Sequence, residues 1–216
     1  MTMTPGELNL LHTAMHKSCV YLEFGAGEST VYAAGLPNLQ QVDCIESSKE
    51  YVAENLLPHP EVHNALATGK LHFHFPDIGK TGDWGHPVDR KSEHLWPAYS
   101  KAIFSEKADY GLVFVDGRFR VACTLNAILK TPQECEIIIH DFWNRGQYHI
   151  VLLYLDVKES ADTMASFTKK KSINLQKLHA HIHQYEYLHD DKTLAYRITK
   201  SLPQIVMEKL GLRQKD

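Results

Sequence analysis

Leu22-Glu23-Phe24-Gly25-Ala26-Gly27-Glu28-Ser29-Thr30 is the stretch on which the reading of this chain turns. The apolar run Cys19–Phe24 before it reads as a buried strand, and Ser29–Ala34 after it reads as a helix. Two glycines between a strand and a helix let the backbone turn sharply and let a ligand approach it closely. In open α/β sheets, ligands bind outside the carboxyl ends of the strands, where the strand order reverses. A dinucleotide fingerprint places a third small residue where this chain has Thr30, which disfavours a nicotinamide-dependent oxidoreductase. The stretch fits E-x-G-x-G-x-S instead, with the acid Glu23 two residues before the first glycine.

Working outward, strands and helices alternate on both sides of this turn. Thr4-Pro5-Gly6-Glu7 has the signature of a helix start, with Thr4 as N-cap and Glu7 closing a capping box. Leu8, Leu10, Leu11 and Met15 give that helix an apolar face up to about His16. Downstream, Gln41–Ile45 reads as a strand ending at Glu46, and Ser47-Ser48 opens a helix through about Leu56. Lys70–Phe75 alternates as a third strand. The segment Pro76–Glu93 carries three glycines and three aspartates and is longer than the usual connection, which points to a loop that wraps a ligand.

Pro97 to about Glu106 reads as a helix, Gly111–Val115 as a strand, Val121–Lys130 as a helix and Glu136–His140 as a fifth strand. Further on, Tyr148–Leu155 reads as a helix, Thr163–Thr168 as a strand, and Ile173 to about His183 as a helix or a strand. Near-continuous apolar strands separated by helices predict an α/β fold with a doubly wound, mostly parallel sheet and helices on both faces. A length of 216 residues without low-complexity linkers predicts a single domain over 1–216.

Composition narrows the function classes. Hydrophobic residues make up 44% and charged residues 23%, which excludes collagen-like, coiled-coil and broadly disordered chains. No apolar run reaches the ~18 residues of a membrane helix, and Met1–Glu7 carries no secretory signal, so no membrane partner is expected. A net charge of −3 gives no electrostatic reason for nucleic-acid binding. Cys19, Cys44, Cys123 and Cys135 form no CxxC pair, and Cys19, Cys44 and Cys135 lie in or beside apolar runs. They are read as reduced core thiols of a cytoplasmic protein.

The glycine turn, together with Glu46 at the end of the second strand, resembles the nucleoside-binding region of class I S-adenosylmethionine-dependent methyltransferases over roughly the first 145 residues. More narrowly, the chain resembles a small bacterial group of methyltransferase-like proteins of uncharacterised function. The residues that carry this are Thr4–Glu7, Leu22–Thr30, Asp77-Ile-Gly79, Thr81–Pro87, Val115–Cys123 and His140-Asp-Phe142. The resemblance implies a Rossmann-like fold and S-adenosylmethionine as cofactor. It implies that Glu23 and the backbone of Gly25, Ala26 and Gly27 face the methionine portion, that Glu46 accepts from the ribose hydroxyls, and that Ser29, Thr30 and Ser47 also belong to the cofactor site. Asp77 and Ile78 would lie near the adenine, and Asp116 near the transferable methyl group. Trp84 either covers the cofactor or substrate or pins its loop to the body.

Methyl transfer needs an acceptor held in line and often a base. Asp116, His140 and Asp141 are the candidate catalytic residues; His140, at the end of an apolar strand, is alternatively a hydrogen-bonded core histidine. Arg118, Arg120, Arg145 and Tyr148 follow the same two strands and are the candidate substrate-binding residues. Arginines converging on a crevice favour a carboxylate or phosphate, unless Asp116 and Asp141 already pair with them. Asp116 and Asp141 also resemble the carboxylates of metal-dependent catechol-type O-methyltransferases, but Phe142 stands where that family has its second adjacent ligand. No metal is therefore expected.

The fourteen histidines, with His72/His74 and His179/His181/His183 at regular spacing, have no cysteine beside them and are read as solvent-facing; Lys169–Lys171 is read as a solvated turn. The expected activity is methyl transfer to a small-molecule acceptor, with an anionic one favoured by the arginines. The alternatives are a non-catalytic cofactor- or ligand-binding protein that keeps the fold and, ranked lower, the oxidoreductase. A homodimer is possible.

Overall fold

The computed structural model describes residues 3–105 and 109–189. The expected helix end at Glu106 lies outside these residues. Helix α1 (Pro5–His16) starts as its sequence requires: Thr4 Oγ1 accepts from Glu7 N, and Glu7 accepts from Thr4 N in return. Then follow β1 (Val20–Phe24), α2 (Glu28–Gly35), β2 (Gln41–Ile45) and α3 (Lys49–Asn55). A further helix, α4 (Pro60–Ala67), was not expected from the sequence; Pro60 opens it, and Val62 and Ala65 are its buried positions. It leads into β3 (Leu71–His74), and the long loop then runs to α5 (Pro97–Lys101). The remainder comprises β4 (Leu112–Val115), α6 (Arg120–Lys130), β5 (Glu136–Ile139), a 3₁₀ helix (Gly146–Leu153), β6 (Leu155–Ala161), β7 (Met164–Lys169) and α7 (Leu175–Tyr185).

The seven strands form one sheet in the order β3-β2-β1-β4-β5-β7-β6. Strands β1 to β5 are parallel, and β7 joins antiparallel to β5 with β6 outside it. The order reverses between β1 and β4, so the crevice for a ligand lies above their carboxyl ends. Because strand side chains alternate, β1, β2, β4 and β5 each serve two cores. Leu22, Phe24, Val113, Val115, Ile137 and Ile139 pack with α5, α6 and α7 on one face. Tyr21, Val42, Cys44, Leu112, Phe114 and Ile138 pack with α1, α2, α3 and α4 on the other. Phe114 is 0% exposed, and truncation to alanine costs about 3–5 kcal/mol by the usual scale for buried aromatics.

Several expectations need correction. Tyr148–Leu155 is a 3₁₀ helix only as far as Leu153, and Leu155 already begins β6. β6 is an edge strand with Asp156, Lys158 and Glu159 exposed, so it lacks the apolar run by which buried strands are recognised. Cys19 is exposed, unlike Cys44, Cys123 and Cys135, because it precedes β1 rather than lying in it. Lys169 is no solvated turn: it is 6% exposed, and its Nζ donates to Thr131 O at 2.6 Å. Lys170 is half-buried and donates to Leu152 O at 2.7 Å.

Candidate active site

The glycine turn is shaped from beneath. Glu23, on β1, is 0% exposed and accepts from the hydroxyls of Ser29 and Thr30, the latter at 2.7 Å. Thr30 Oγ1 in turn accepts from Gly27 N at 2.9 Å. The side chains of Glu23, Ser29 and Thr30 thus engage one another below the turn, while the backbone of Gly25, Ala26 and Gly27 is half-exposed above it. Burial raises the Glu23 carboxyl to about 8, with the charge of Asp116 adding to it and the two hydroxyl donors opposing it.

Gly25 has φ +94°, and a Cβ there would lie 2.6 Å from the Gly117 backbone. Gly117 is as constrained, since its Cβ would lie 2.3 Å from the Tyr99 hydroxyl and 2.8 Å from Gly25 N. The turns after β1 and β4 therefore meet backbone to backbone, which only glycine allows. Tyr99 was not anticipated; its place in the site depends on contact across the crevice, which no local pattern encodes.

Glu46, just past β2, ties the neighbouring turns together. Its Oε2 accepts from Ala26 N at 3.1 Å, and its Oε1 accepts from Ser47 N, Ser47 Oγ and Ser48 N at 2.6, 3.1 and 3.0 Å. The carboxylate is half-buried, and Oε2 retains a lone pair beyond its single bond to Ala26. Ser47 also touches the long loop, because a Cβ at Gly85 would lie 2.9 Å from Ser47 Oγ.

In that loop Trp84 is 79% exposed with φ 58°, so it does not pin the loop to the body. Asp77 is exposed and accepts from Gly79 N at 2.8 Å; Ile78 is buried, and its carbonyl accepts from Trp96 Nε1 at 3.1 Å. His86 closes the loop onto the β4 side, with Nε2 2.6 Å from Arg118 Nη1. His86 was not singled out beforehand, although it stands in the quoted stretch Thr81–Pro87.

The ends of β4 and β5 form the other wall. Arg120, 7% exposed, donates from Nε to Gly117 O at 3.1 Å, from Nη2 to Asp116 O at 2.9 Å, and from Nη1 to His140 O at 2.7 Å. Its guanidinium also pairs with Asp116 Oδ1 at 2.8 Å and Asp141 Oδ2 at 3.4 Å. All five of its donors are thereby occupied by the protein, so Arg120 cinches the two strand ends together and is not a substrate arginine. Arg145 donates to Asp141 Oδ2 at 2.8 Å and to the Tyr148 hydroxyl at 3.2 Å, with its side chain 30% exposed. Tyr148 is 2% exposed, with the guanidinium groups of Arg120 and Arg145 about 6 Å from its ring centre.

Asp141 has φ 56° and Phe119 φ 52°, so two of the four non-glycine residues of positive φ among the described residues border this crevice, and Trp84 is a third. The Asp141 side chain is buried, with Oδ2 held by the two arginines and Oδ1 3.3 Å from Asn144 Nδ2. His140 is 4% exposed; Nδ1 lies 2.9 Å from Asp116 Oδ1 and Nε2 3.5 Å from Glu7 Oε2. Both ring nitrogens face carboxylates, which makes His140 the buried, paired histidine rather than a base open to substrate. Burial alone would lower the His140 pKa, but the hydrogen bond and charge of Asp116 and the charge of Asp141 raise it. Asp116, with 28% of its side chain exposed, is the carboxylate that reaches the crevice. Burial alone would raise its pKa, but Arg120 and His140 hold it below the usual range.

Among the described residues, the one group of side chains close enough to share a metal ion is Asp116, His140 and Asp141, whose ligand atoms lie within 4.8 Å of one another. Those atoms already face each other and the guanidinium groups of Arg120 and Arg145. The spaced histidines form no such group: His181 Nδ1 lies 2.6 Å from the Tyr154 hydroxyl, His183 pairs with Glu186, and His74 pairs with the buried Asp43.

The architecture and this crevice define a protein with the class I methyltransferase fold. No family model matches the chain, and no curated protein matches it. Solved structures do. A methyltransferase-like protein from Silicibacter pomeroyi is 29% identical, with a TM-score of 0.71, covering 84% of this chain and 96% of that one. The cofactor-bound protein Rv0187 from MTB is 15% identical with a TM-score of 0.55, covering 80% and 83%. An O-methyltransferase from Bacillus cereus, in complex with SAH, is 14% identical with a TM-score of 0.50, covering 78% and 83%. The chain therefore has the fold of the class I methyltransferases and is similar to a methyltransferase-like protein.

Proposed function

We propose that this protein binds S-adenosylmethionine and transfers its methyl group to a small, anionic acceptor. The observation that carries the reading is the half-exposed Gly25–Gly27 turn at the strand-order reversal, with Glu46 bonded to Ala26 on one side and Asp116 across the crevice on the other. The cofactor fits these residues. Nothing lies within 4 Å of a Cβ built on Gly27, so the turn presents open backbone. Glu46 Oε2 has acceptor capacity left for a ribose hydroxyl. The solved neighbours that are cofactor-bound or hold SAH support the same cofactor.

Bound there, S-adenosylmethionine supplies a methyl group activated as an electrophile by its sulfonium. The chain's own part is to position the acceptor and to receive its proton. Asp116 is the acceptor-side carboxylate, and Arg120 and His140 fix it through Oδ1. Among the described residues, no hydrogen-bond partner holds its Oδ2. Arg118, beside His86, brings positive charge to the same wall, whereas Arg145 is held by Asp141 and Tyr148. The Arg118 guanidinium so placed favours a carboxylate or phosphate on the acceptor.

Methyl-labelled S-adenosylmethionine, incubated with paired sets of small carboxylates or phosphates and their neutral analogues, tests this reading. Label should pass to an anionic member, and Arg118→Glu should reduce that transfer by at least tenfold. Equal labelling of a neutral analogue, or full turnover in Arg118→Glu and Arg145→Glu, would sink the anionic acceptor.

A further inference from the structure

Glu7 does more than close the cap of α1. A capping-box acid ordinarily sits at the surface and bonds its own N-cap amide. Here Glu7 is 2% exposed, and it reaches far beyond its helix. Its Oε1 accepts from Thr163 N at 3.0 Å and Thr163 Oγ1 at 2.6 Å, at the turn between β6 and β7. Its Oε2 accepts from Thr4 N at 2.9 Å and lies 3.5 Å from His140 Nε2. On the far side of the same ring, Nδ1 meets Asp116 Oδ1 at 2.9 Å. The imidazole is thus held between two carboxylates, one from the first helix of the chain and one from the crevice wall.

The other charged groups facing His140 are Asp141, from its own strand end, and Arg120, from α6. Asp141 lies 4.0 Å from Nδ1, the nitrogen already turned to Asp116, and the Nη1 of Arg120 binds the His140 carbonyl rather than the ring. Glu7 is therefore the carboxylate at Nε2. A ring hydrogen-bonded at one nitrogen alone can swing about its bond to Cβ; the Glu7 carboxylate 3.5 Å from the other nitrogen opposes that swing by charge.

We propose that Glu7 is a positioning residue for the crevice: by holding Nε2 of His140 it fixes the ring, and the ring fixes Asp116 by Oδ1 so that Oδ2 is the oxygen turned to the acceptor. The inference rests on the reading of Asp116 as the acceptor-side carboxylate. It ties the stretch Thr4–Glu7, 109 residues before Asp116 by the numbering of Glu7, to the chemistry of the β4 end.

Heteronuclear NMR of the ligand-free protein at pH 6 tests it, with no methyl acceptor required. The wild type should show two His140 ring N–H signals protected from exchange with water. Glu7→Gln keeps the shape but removes the charge at Nε2. It should lose the Nε2–H signal to exchange and displace the Asp116 carboxyl carbon signal. Thr4→Ala removes the cap hydroxyl that Glu7 N donates to, without touching His140. It should lower the melting temperature and leave all three signals in place. Absence of a protected Nε2–H in the wild type would overturn the proposal without any variant. So would a Glu7→Gln spectrum with unmoved His140 and Asp116 signals, or a Thr4→Ala spectrum that moves as far. Because S-adenosylmethionine is not added, failure here leaves the functional reading to be judged by cofactor titration.

Discussion

Glu23 makes the stability of this protein depend on alkaline pH in a way that a single isosteric change should erase. The carboxyl is fully buried beneath the glycine turn and raised to about 8, against an ordinary value of 4.5. An acid whose folded pKa is raised binds its proton more tightly in the folded state, so folding loses stability as pH climbs from 4.5 through 8. A single site with those two values loses roughly 2–3 kcal/mol between pH 6 and pH 9, at about 1.4 kcal/mol per pKa unit. In Glu23→Gln the amide does not titrate, its carbonyl can accept from Thr30, and its NH₂ can donate to Ser29. Urea unfolding of both proteins at pH 6 and pH 9 isolates the effect, because other titrating groups contribute to both. The difference in unfolding free energy, variant minus wild type, should grow by about 2–3 kcal/mol at the higher pH. A difference that stays constant would refute the placement of a neutral carboxyl under the turn.

Glu46→Ala removes the acceptor proposed for the ribose and releases the amides of Ala26, Ser47 and Ser48; with charge-assisted bonds worth roughly 1.5–3 kcal/mol each, S-adenosylhomocysteine affinity should fall at least tenfold by calorimetry. Gly25→Ala forces a Cβ to 2.6 Å from Gly117 at φ +94°, so it should lower stability by about 3 kcal/mol or more in chemical unfolding and abolish cofactor binding. Because Arg120 and Arg145 already neutralise Asp116 and Asp141, EDTA should leave S-adenosylhomocysteine affinity unchanged; a rise in affinity or melting temperature with magnesium would show that a cation displaces them.

Local signals carried far in this chain. The capping box of α1, the strand Gln41–Ile45 and the glycine turn all rest on neighbouring residues, and each stands in the structure where its sequence places it. What the sequence hid was contact between distant elements. Three arginines after two strand ends look alike in a row of letters, yet only Arg120 lies under both carbonyls and both carboxylates of the β4 and β5 ends. His140 looked like a base because a histidine titrates near neutrality; its burial between Asp116 and Glu7 depends on how α1 lies against the sheet. β6 escaped notice because an edge strand need not be apolar. Trp84 could be read either way from its loop, and only its exposure removes the pinning role.

Calorimetric titration of the intact chain with S-adenosylmethionine, S-adenosylhomocysteine and the nicotinamide dinucleotides decides whether the Gly25–Gly27 turn and Glu46 form a site for S-adenosylmethionine. Both sulfur nucleosides should bind saturably at a single site per chain, and the nicotinamide cofactors should give no heat of binding. Binding of a nicotinamide dinucleotide with no response to S-adenosylmethionine would contradict such a site.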